Sequence, residues 1–462
     1  MEGVFQKILS IDLNKGLIGE ERLPAIWYRT FLGGLGVGLQ YLLEDLGSKR
    51  PLLDDPILLM TGPLTGHPLP GSSKASWISY RKDANQLKFG SIEGRFPAYV
   101  KLAGFDGLVI TGRAREPVRL HLSEKRSQIL NASLIWGKDV LALEEDGVGS
   151  GKEGSILAIG PAGENGHPFA TIISDRWIPG GVGIGQDFGL KRLKLILVEP
   201  DSELGQNPGT RGLPSWITSY LKKHLKRIDP GEIRRSCFAC VKCCGRYDSK
   251  DSLLFLEEDI ERFQALMAQG AIQGSKQNLP LFYRECLKQG LEPFRTAESI
   301  LPLTIQTHVG QTLEAFVTQP RADREDCVNT HSWEEAQLYL QGWYRDEVFE
   351  GMQTLSELLE KENWAMVKNC LPVCERWDMT PEEMVFFLNQ VTGSDYSQED
   401  LFKIGKNLID QVMYLYHSCH YSPVDPQGIR CCQRHLPSLL KDQLGNYLKD
   451  RKWEKTGFPE KT

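Results

Sequence analysis

Residues 5–23 read FQKILSIDLNKGLIGEERL, two extended runs around an Asn14-Lys15-Gly16 turn, and this is the pattern of a β-hairpin. Residues 117–131, PVRLHLSEKRSQILN, repeat it, while FDGLVITG (105–112) and LKLILVEP (193–200) have the continuous apolar character of buried strands. Two glycine-dense segments punctuate this region. They are LGGLGVGLQ (32–40) and PGGVGIGQDFG (179–189), where glycine permits either close backbone approach to a ligand or tight β-packing and turns. Neither matches a dinucleotide or P-loop spacing. After about residue 205 the texture changes. LLFLEEDIERFQALMAQG (253–270), QTLSELLEKENWAMVKNC (353–370) and PEEMVFFLNQVTG (381–393) carry helical periodicity. Thr380 is placed to cap the last of these, with Pro381 in its first turn. The expected architecture is α+β: a β-rich domain over 1–205, then a mostly helical region over 206–462.

With 462 residues the chain is long enough for two or three domains around sizeable cores. A net charge of −6 argues against nucleic-acid binding, which needs a basic face. No run of about 20 apolar residues predicts a membrane span. The start, MEGVFQKILSIDLNKG, lacks a secretory signal pattern, so a cytoplasmic location is expected.

Eleven cysteines is an odd count, and several are clustered. RRSCFACVKCCGRYD (234–248) holds Cys237, Cys240, Cys243 and Cys244. In a reducing compartment such clusters bind metal or an iron–sulfur centre more often than they form bridges. Cys237, Cys240 and Cys244 can wrap one face of a cubane cluster while a fourth thiolate arrives from elsewhere; zinc is the competing ligand. A second group, His417, Cys419, His420, Cys431, Cys432 and His435, could assemble a zinc site, though no pair has a common finger spacing.

Five further segments stand in order along the chain: FLGGLGVGLQYL (31–42), LLMTGPLTGHPLPGSSK (58–74), EGRFPAYVKLAGFDGLVITGRAREPV (93–118), AIGPAGENGHPFATIISD (158–175) and GIGQDFGLKRLKLILVEP (183–200). In these segments, and in their order, the chain resembles the tungsten-dependent aldehyde ferredoxin oxidoreductase family. The cysteine motif follows at the family's position. KNCLPVCERWDMTPEEMVFFLNQVTG (368–393) stands where the family carries its last cluster cysteine, making Cys374 the expected fourth ligand and Cys370 its rival.

The resemblance implies a 4Fe-4S cluster beside a tungsten or molybdenum bis-pterin held between the β domain and the helices. It also implies oxidation of a small aldehyde to a carboxylic acid, electrons passing to ferredoxin or another redox subunit, and a possible homodimer. The protein supplies position and electrostatics, and the cofactor carries the chemistry. The pterin-contacting positions it maps are Lys74, Glu93, Gly94, Gly180, Gly181, Gly183, Glu292 (in Gly290-Leu291-Glu292) and Asn369, with His331 the candidate catalytic histidine.

Several of these depart from the family pattern. Leu35 and Gly181 stand in place of arginines, and Lys74 keeps a charge without the bidentate fork. Glu93 puts a carboxylate where pterin phosphates would repel it, and Asn369 replaces an aspartate. These departures keep a second reading open: a paralogue that retains the cluster, has lost the pterin, and serves in electron transfer or assembly. A third is a zinc-stabilised binding protein.

Overall fold

The computed structural model describes residues 1–47, 53–67, 69, 71–82, 86–123, 125–144, 154–175, 177–200, 279–293, 354–374, 379–420 and 444–452. It also describes shorter pieces at 234–235, 237–238, 240, 245–248, 253–256, 263, 296–297, 313 and 317. Among them, the N-terminal strands are β1 (Lys7–Asp12), β2 (Leu17–Arg22), β3 (Ile57–Thr61), β4 (Lys74–Arg81), β5 (Gln86–Glu93) and β6 (Gly107–Thr111). These make one mixed six-stranded sheet in the order β2-β1-β6-β3-β4-β5, with β1 and β6 parallel. A second sheet follows from β7 (Val118–Leu122), β8 (Gln128–Asn131), β9 (Ser155–Ile159), β10 (Ile172–Ser174), β11 (Ile178–Pro179) and β12 (Leu193–Val198). Its order is β11-β10-β9-β12-β7-β8. Both expected hairpins form: β1 pairs β2 from Lys7↔Arg22 to Asp12↔Leu17, and β7 pairs β8. A small third sheet joins β13 (Arg234–Arg235), β14 (Gly245–Asp248) and β15 (Leu253–Leu256).

Short helices α1 (Ala25–Phe31), α2 (Gly34–Gly47), α3 (Phe96–Leu102), α4 (Pro161–Glu164) and α5 (Ile184–Leu190) connect the strands. Beyond them lie α6 (Leu279–Gln289), α7 (Leu355–Cys370), α8 (Pro381–Thr392), α9 (Gln398–His420) and α10 (Leu444–Arg451). The fold is α+β, as the sequence leads one to expect. No helix among the described residues is long and apolar enough to cross a membrane.

Strand periodicity explains how the layers stack, because alternate residues point to opposite faces. In the first sheet, Ile8, Leu58, Met60, Ile78, Phe89 and Val109 pack with α2 and the helices α7–α9. Their neighbours Leu9, Leu59, Trp77, Ile92 and Leu108 point the other way, into a core shared with Leu157, Ile159 and Ile196 of the second sheet. That core is completed by Phe96 and Tyr99 of α3 and Phe188 of α5. On the far side of the second sheet, Ala158, Ile173 and Leu195 meet Phe282, Tyr283 and Leu287 of α6. The first sheet is therefore covered on both faces, and burial of each large apolar side chain contributes roughly 1.5–3 kcal/mol.

Local signals account for the C-terminal helices. The Thr380 hydroxyl accepts from Glu383 N (3.3 Å) and the Glu383 carboxylate accepts from Thr380 N (3.1 Å), a reciprocal capping box with Pro381 in the first turn. Two expectations change. The first glycine segment is neither a turn nor β-packing. From Gly34 it is helical, and a Cβ on Gly38 would lie 2.6 Å from Ile78 Cδ1. Glycine here lets a helix sit directly on the sheet. Residues 253–256 of the expected helix are instead strand β15, because the apolar run Leu-Leu-Phe-Leu pairs with Gly245–Asp248. An apolar run this short suits either element until a partner strand is known.

Candidate functional site

The β4–β5 ladder ends with Lys74 directly opposite Glu93. Directly opposed residues share a face, and here it is the face of Ile78 and Phe89, which looks toward α7. Lys74 is wholly buried and Glu93 is 9% exposed. One step along, Ser76 Oγ donates to the Asn369 carbonyl in the last turn of α7 (3.0 Å). The Asn369 side chain donates through Nδ2 to Ala365 O (3.0 Å). Its Oδ1 is buried with no donor among the described residues. The chain then turns through Leu371–Val373, and Cys374 N donates to Gly71 O (2.8 Å), just before β4.

Gly94 sits where these segments meet. Its carbonyl accepts from Ser73 Oγ (2.6 Å) and from Phe238 N (3.4 Å), the residue after Cys237. Its φ is +109°, and a Cβ would fall 2.6 Å from Ser174 Oγ and 2.7 Å from Asp175 Oδ2. Both features require glycine. Asp175, itself at φ +49°, accepts from Ser155 Oγ (2.6 Å) and Arg95 N (2.5 Å), so it braces the turn from behind.

The thiols converge on this corner. Cys240 N donates to Cys237 O (3.1 Å). Burial pushes the Cys237 thiol well up, and the Glu93 carboxylate, Cys374 and Cys240 push it the same way, opposed by the Gly94 backbone. Cys240 and Cys374 thus both act on Cys237, although Cys374 lies 134 residues beyond Cys240 in the chain. As thiolates they repel, and bound iron would relieve that repulsion. Among the described residues no three His, Cys, Asp or Glu side chains close on a single-ion site. A cubane does not require them to, since its thiolates bind separate corners. Cys370 is elsewhere. It is buried in the core against α2, its Sγ 3.1 Å from where a Cβ on Gly36 would be, and burial raises its thiol to about 12.

Gly180, Gly181, Gly183 and Glu292 form a separate group behind the other face of the sheet. Trp77, fully buried, donates through Nε1 to Gly180 O (2.5 Å), and a Cβ on Gly181 would lie 3.4 Å from the same ring. Gly183 N donates to Ala170 O (2.9 Å), and Gly183 takes a left-handed conformation at the start of α5. Glu292 N donates to Phe169 O (2.9 Å), and Leu291 bridges Ala170. The glycine loop and the 290–292 turn therefore meet at Phe169–Ala170, while Trp77 stands between Gly180 and the Lys74–Glu93 side.

Leu35 is a fully buried member of the first core. Cys243, Cys244, His331, Cys431, Cys432 and His435 lie outside the described residues. His417, Cys419 and His420 are on α9, with their side chains likewise outside. Sequence reasoning missed Ser73, Trp77 and Asp175. None has a motif of its own, and only the pairing of β4 with β5 and the course of β10 bring them to Gly94 and Gly180.

The donor set suits an iron–sulfur cluster. For a pterin the fit is divided: the orphaned Asn369 Oδ1 is an acceptor for a ring N–H and Lys74 is a cation, whereas Glu93 opposes a phosphate.

The sequence comparisons with known proteins bear on the N-terminal part of the chain. Residues 8–200 match the family model "Aldehyde ferredoxin oxidoreductase, N-terminal domain". The tungsten-containing aldehyde ferredoxin oxidoreductase of Pyrococcus horikoshii is 32% identical over 204 residues, 43% of this chain and 33% of the relative. The aliphatic sulfonate oxidoreductase, WOR-like subunit, of Pyrococcus furiosus is 30% identical over 218 residues, 43% of this chain and 35% of the relative. The chain thus spans about a third of the length of these curated relatives. Among solved structures, the active site complex BamBC of benzoyl coenzyme A reductase superposes with a TM-score of 0.72 at 16% identity. It covers 99% of this chain and 96% of that one, a likeness of fold. Residues 8–200 are thus similar to the N-terminal domain of the aldehyde ferredoxin oxidoreductase family.

Proposed function

We propose that the chain is an iron–sulfur oxidoreductase in which Cys237, Cys240, Cys244 and Cys374 hold a 4Fe-4S cluster. The observation that carries this is the Cys374–Gly71 hydrogen bond, which ties a cysteine from beyond α7 to the segment before β4, where Ser73 Oγ donates to the Gly94 carbonyl that also accepts from Phe238 N. In this reading Lys74, Gly94 and Asn369, with the Gly180–Gly183 loop and Glu292, hold a tungsten or molybdenum bis-pterin. That group, when bound, supplies the two-electron chemistry. The substrate is an aldehyde or related carbonyl. Its oxidation to the acid takes up the oxygen of one water and releases two electrons and two protons, the electrons leaving for ferredoxin or a partner redox subunit. The chain's own tasks are electrostatic. Lys74 offers a buried positive charge to an anionic group, Asn369 offers an acceptor to a ring N–H, and Trp77 separates the glycine loop from the thiol corner. His331 is the proposed proton-accepting histidine.

Anaerobically purified protein should be brown, with about four iron and four sulfide per chain. Cys374→Ser should lower that occupancy more than Cys370→Ser. Tungsten or molybdenum, a releasable pterin and aldehyde-dependent reduction of a viologen dye should accompany it in protein from a tungstate-supplemented host. Colourless protein with stoichiometric zinc would overturn the reading. Glu93 favours a second reading, a cluster-bearing electron-transfer or assembly subunit. Iron at the cubane level without heavy metal or pterin would select it.

A further inference from the structure

We infer that Trp77 positions the cofactor site: its indole clasps the Gly180–Gly183 loop and aims the main-chain amide of Gly181, one of two that this loop has left to offer an anionic ligand. This role rests on the bis-pterin reading above. The loop has few donors to spare. Gly180 N is spent on Ile172 O (2.8 Å) and Thr171 Oγ1 (3.2 Å), while Gly183 N and Gly185 N both go to Ala170 O (2.9 and 3.1 Å). Gly181 and Val182 thus stand together opposite Thr171, two residues against one, which makes them a bulge beside the β10–β11 ladder. Both are half-buried, and their amides make no hydrogen bond among the described residues. Gly181 has φ +95°, where an L side chain is strained, so the main chain is what the loop presents. Successive main-chain N–H groups suit an anion.

A bulge has no ladder partner to fix its peptide planes, and Trp77 supplies the hold. Its Nε1 donates to Gly180 O (2.5 Å), and that carbonyl belongs to the same peptide unit as the Gly181 N–H. The unit is planar and trans, so its N–H points opposite to its C=O. Gripping the oxygen therefore turns the Gly181 N–H away from the indole. The ring also lies 3.4 Å from where a Cβ on Gly181 would be, which stops the unit from rolling back. Two features keep the clasp in place. Trp77 is fully buried, and a buried indole N–H needs an acceptor. Gly90 stands directly across the ladder, where a Cβ would fall 2.6 Å from the ring, so only glycine lets the indole lie over β5 and reach Gly180.

The test compares three full-length chains purified anaerobically from a tungstate-supplemented host: wild type, Trp77→Phe, and a chain with benzothienylalanine at position 77. In that analogue sulfur replaces the indole N–H and the ring keeps its shape, so it decides the outcome should Trp77→Phe fail to fold. Hydrogen exchange with mass spectrometry reads the loop, while heavy metal and pterin are measured relative to iron. In both altered chains exchange over residues 177–185 should quicken roughly fivefold, the scale set by one net hydrogen bond. Heavy metal and pterin should fall by a similar factor relative to iron, and β9 and β12 should exchange as in wild type. Unchanged loop exchange in the analogue would overturn the role of Trp77 alone. So would a quickened loop whose heavy metal and pterin keep their ratio to iron, or iron falling in step with them, which marks a residue that only supports the core. A wild-type chain with iron but without tungsten, molybdenum or pterin would overturn the bis-pterin reading and the role of Trp77 together.

Discussion

Gly94→Ala tests the corner on which the thiol loop rests. At φ +109° an L-residue is strained by about 1–2 kcal/mol. The added methyl would sit 2.6 Å from Ser174 Oγ and 2.7 Å from Asp175 Oδ2. Asp175 cannot swing away freely, since it is held by Ser155 Oγ and Arg95 N. Overpacking of this kind costs about 1–3 kcal/mol, so the sum is about 2–5 kcal/mol. Gly393→Ala separates the two contributions. Gly393 has φ +64° at the end of α8, and an added methyl there would meet no described atom within 4 Å, so this variant should lose only the backbone part. Urea unfolding of both variants should therefore differ by about 1–3 kcal/mol, the steric share. Because Gly94 O accepts from Phe238 N, alkylation of Cys237, followed by peptide mass spectrometry, should also quicken in Gly94→Ala and not in Gly393→Ala. Equal destabilisation in the two variants, or an unchanged Cys237 rate, would refute the reasoning.

Three further outcomes follow from buried charge and from capping. The Lys101–Asp106 ion pair (2.5 Å, each side chain 1% exposed) is supported by the Phe5 and Gln6 amides on the carboxylate. Asp106→Leu should cost about 3–5 kcal/mol in urea unfolding, and adding Lys101→Met should recover part of that loss. Burial holds the His67 imidazole down at about 4, below its ordinary value near 6.5, so the unfolded chain binds the extra proton. Stability should be complete above pH 6.5 and fall by about 3 kcal/mol as pH drops toward 4; a His67→Gln profile as steep as wild type would exclude this. Thr380→Ala removes the capping hydroxyl of α8 and should cost about 1 kcal/mol by thermal or urea unfolding.

Elements whose signals are local were legible from the residues. Asn14-Lys15-Gly16 turns the first hairpin, and Thr380, Pro381 and Glu383 start α8 as that order of residues implies. The two misreadings involve tertiary context. Gly33–Gly38 is glycine-rich because α2 lies against Ile78 and Cys370, a reason invisible until the sheet and α7 are in place. Leu253–Leu256 satisfies a helical pattern as well as an extended one, and the pairing with β14 decides it. At the site, thiol spacing pointed to Cys237 and Cys240, and the family resemblance pointed to Cys374. Their shared corner, however, depends on Gly71, Ser73 and Gly94, whose contacts come from the β4–β5 ladder. Leu35, at a position where the family carries an arginine, is a core residue here, and the volume given to it by α7 could not be read from the glycines around it.

The bond from Cys374 to Gly71 also sets a timetable. During synthesis Cys240 leaves the ribosome 134 residues ahead of Cys374. At about 5–20 residues per second that interval lasts roughly 7–27 s. Throughout it the earlier thiols wait beside a completed β4–β5 edge whose last neighbour has not been made. A nascent chain exposed to oxidant in that interval would be captured as mixed disulfides at Cys237 or Cys240. The finished chain has residues 371–374 seated against Gly62 and Gly71, so sensitivity to oxidant should belong to the growing polypeptide and fade on release.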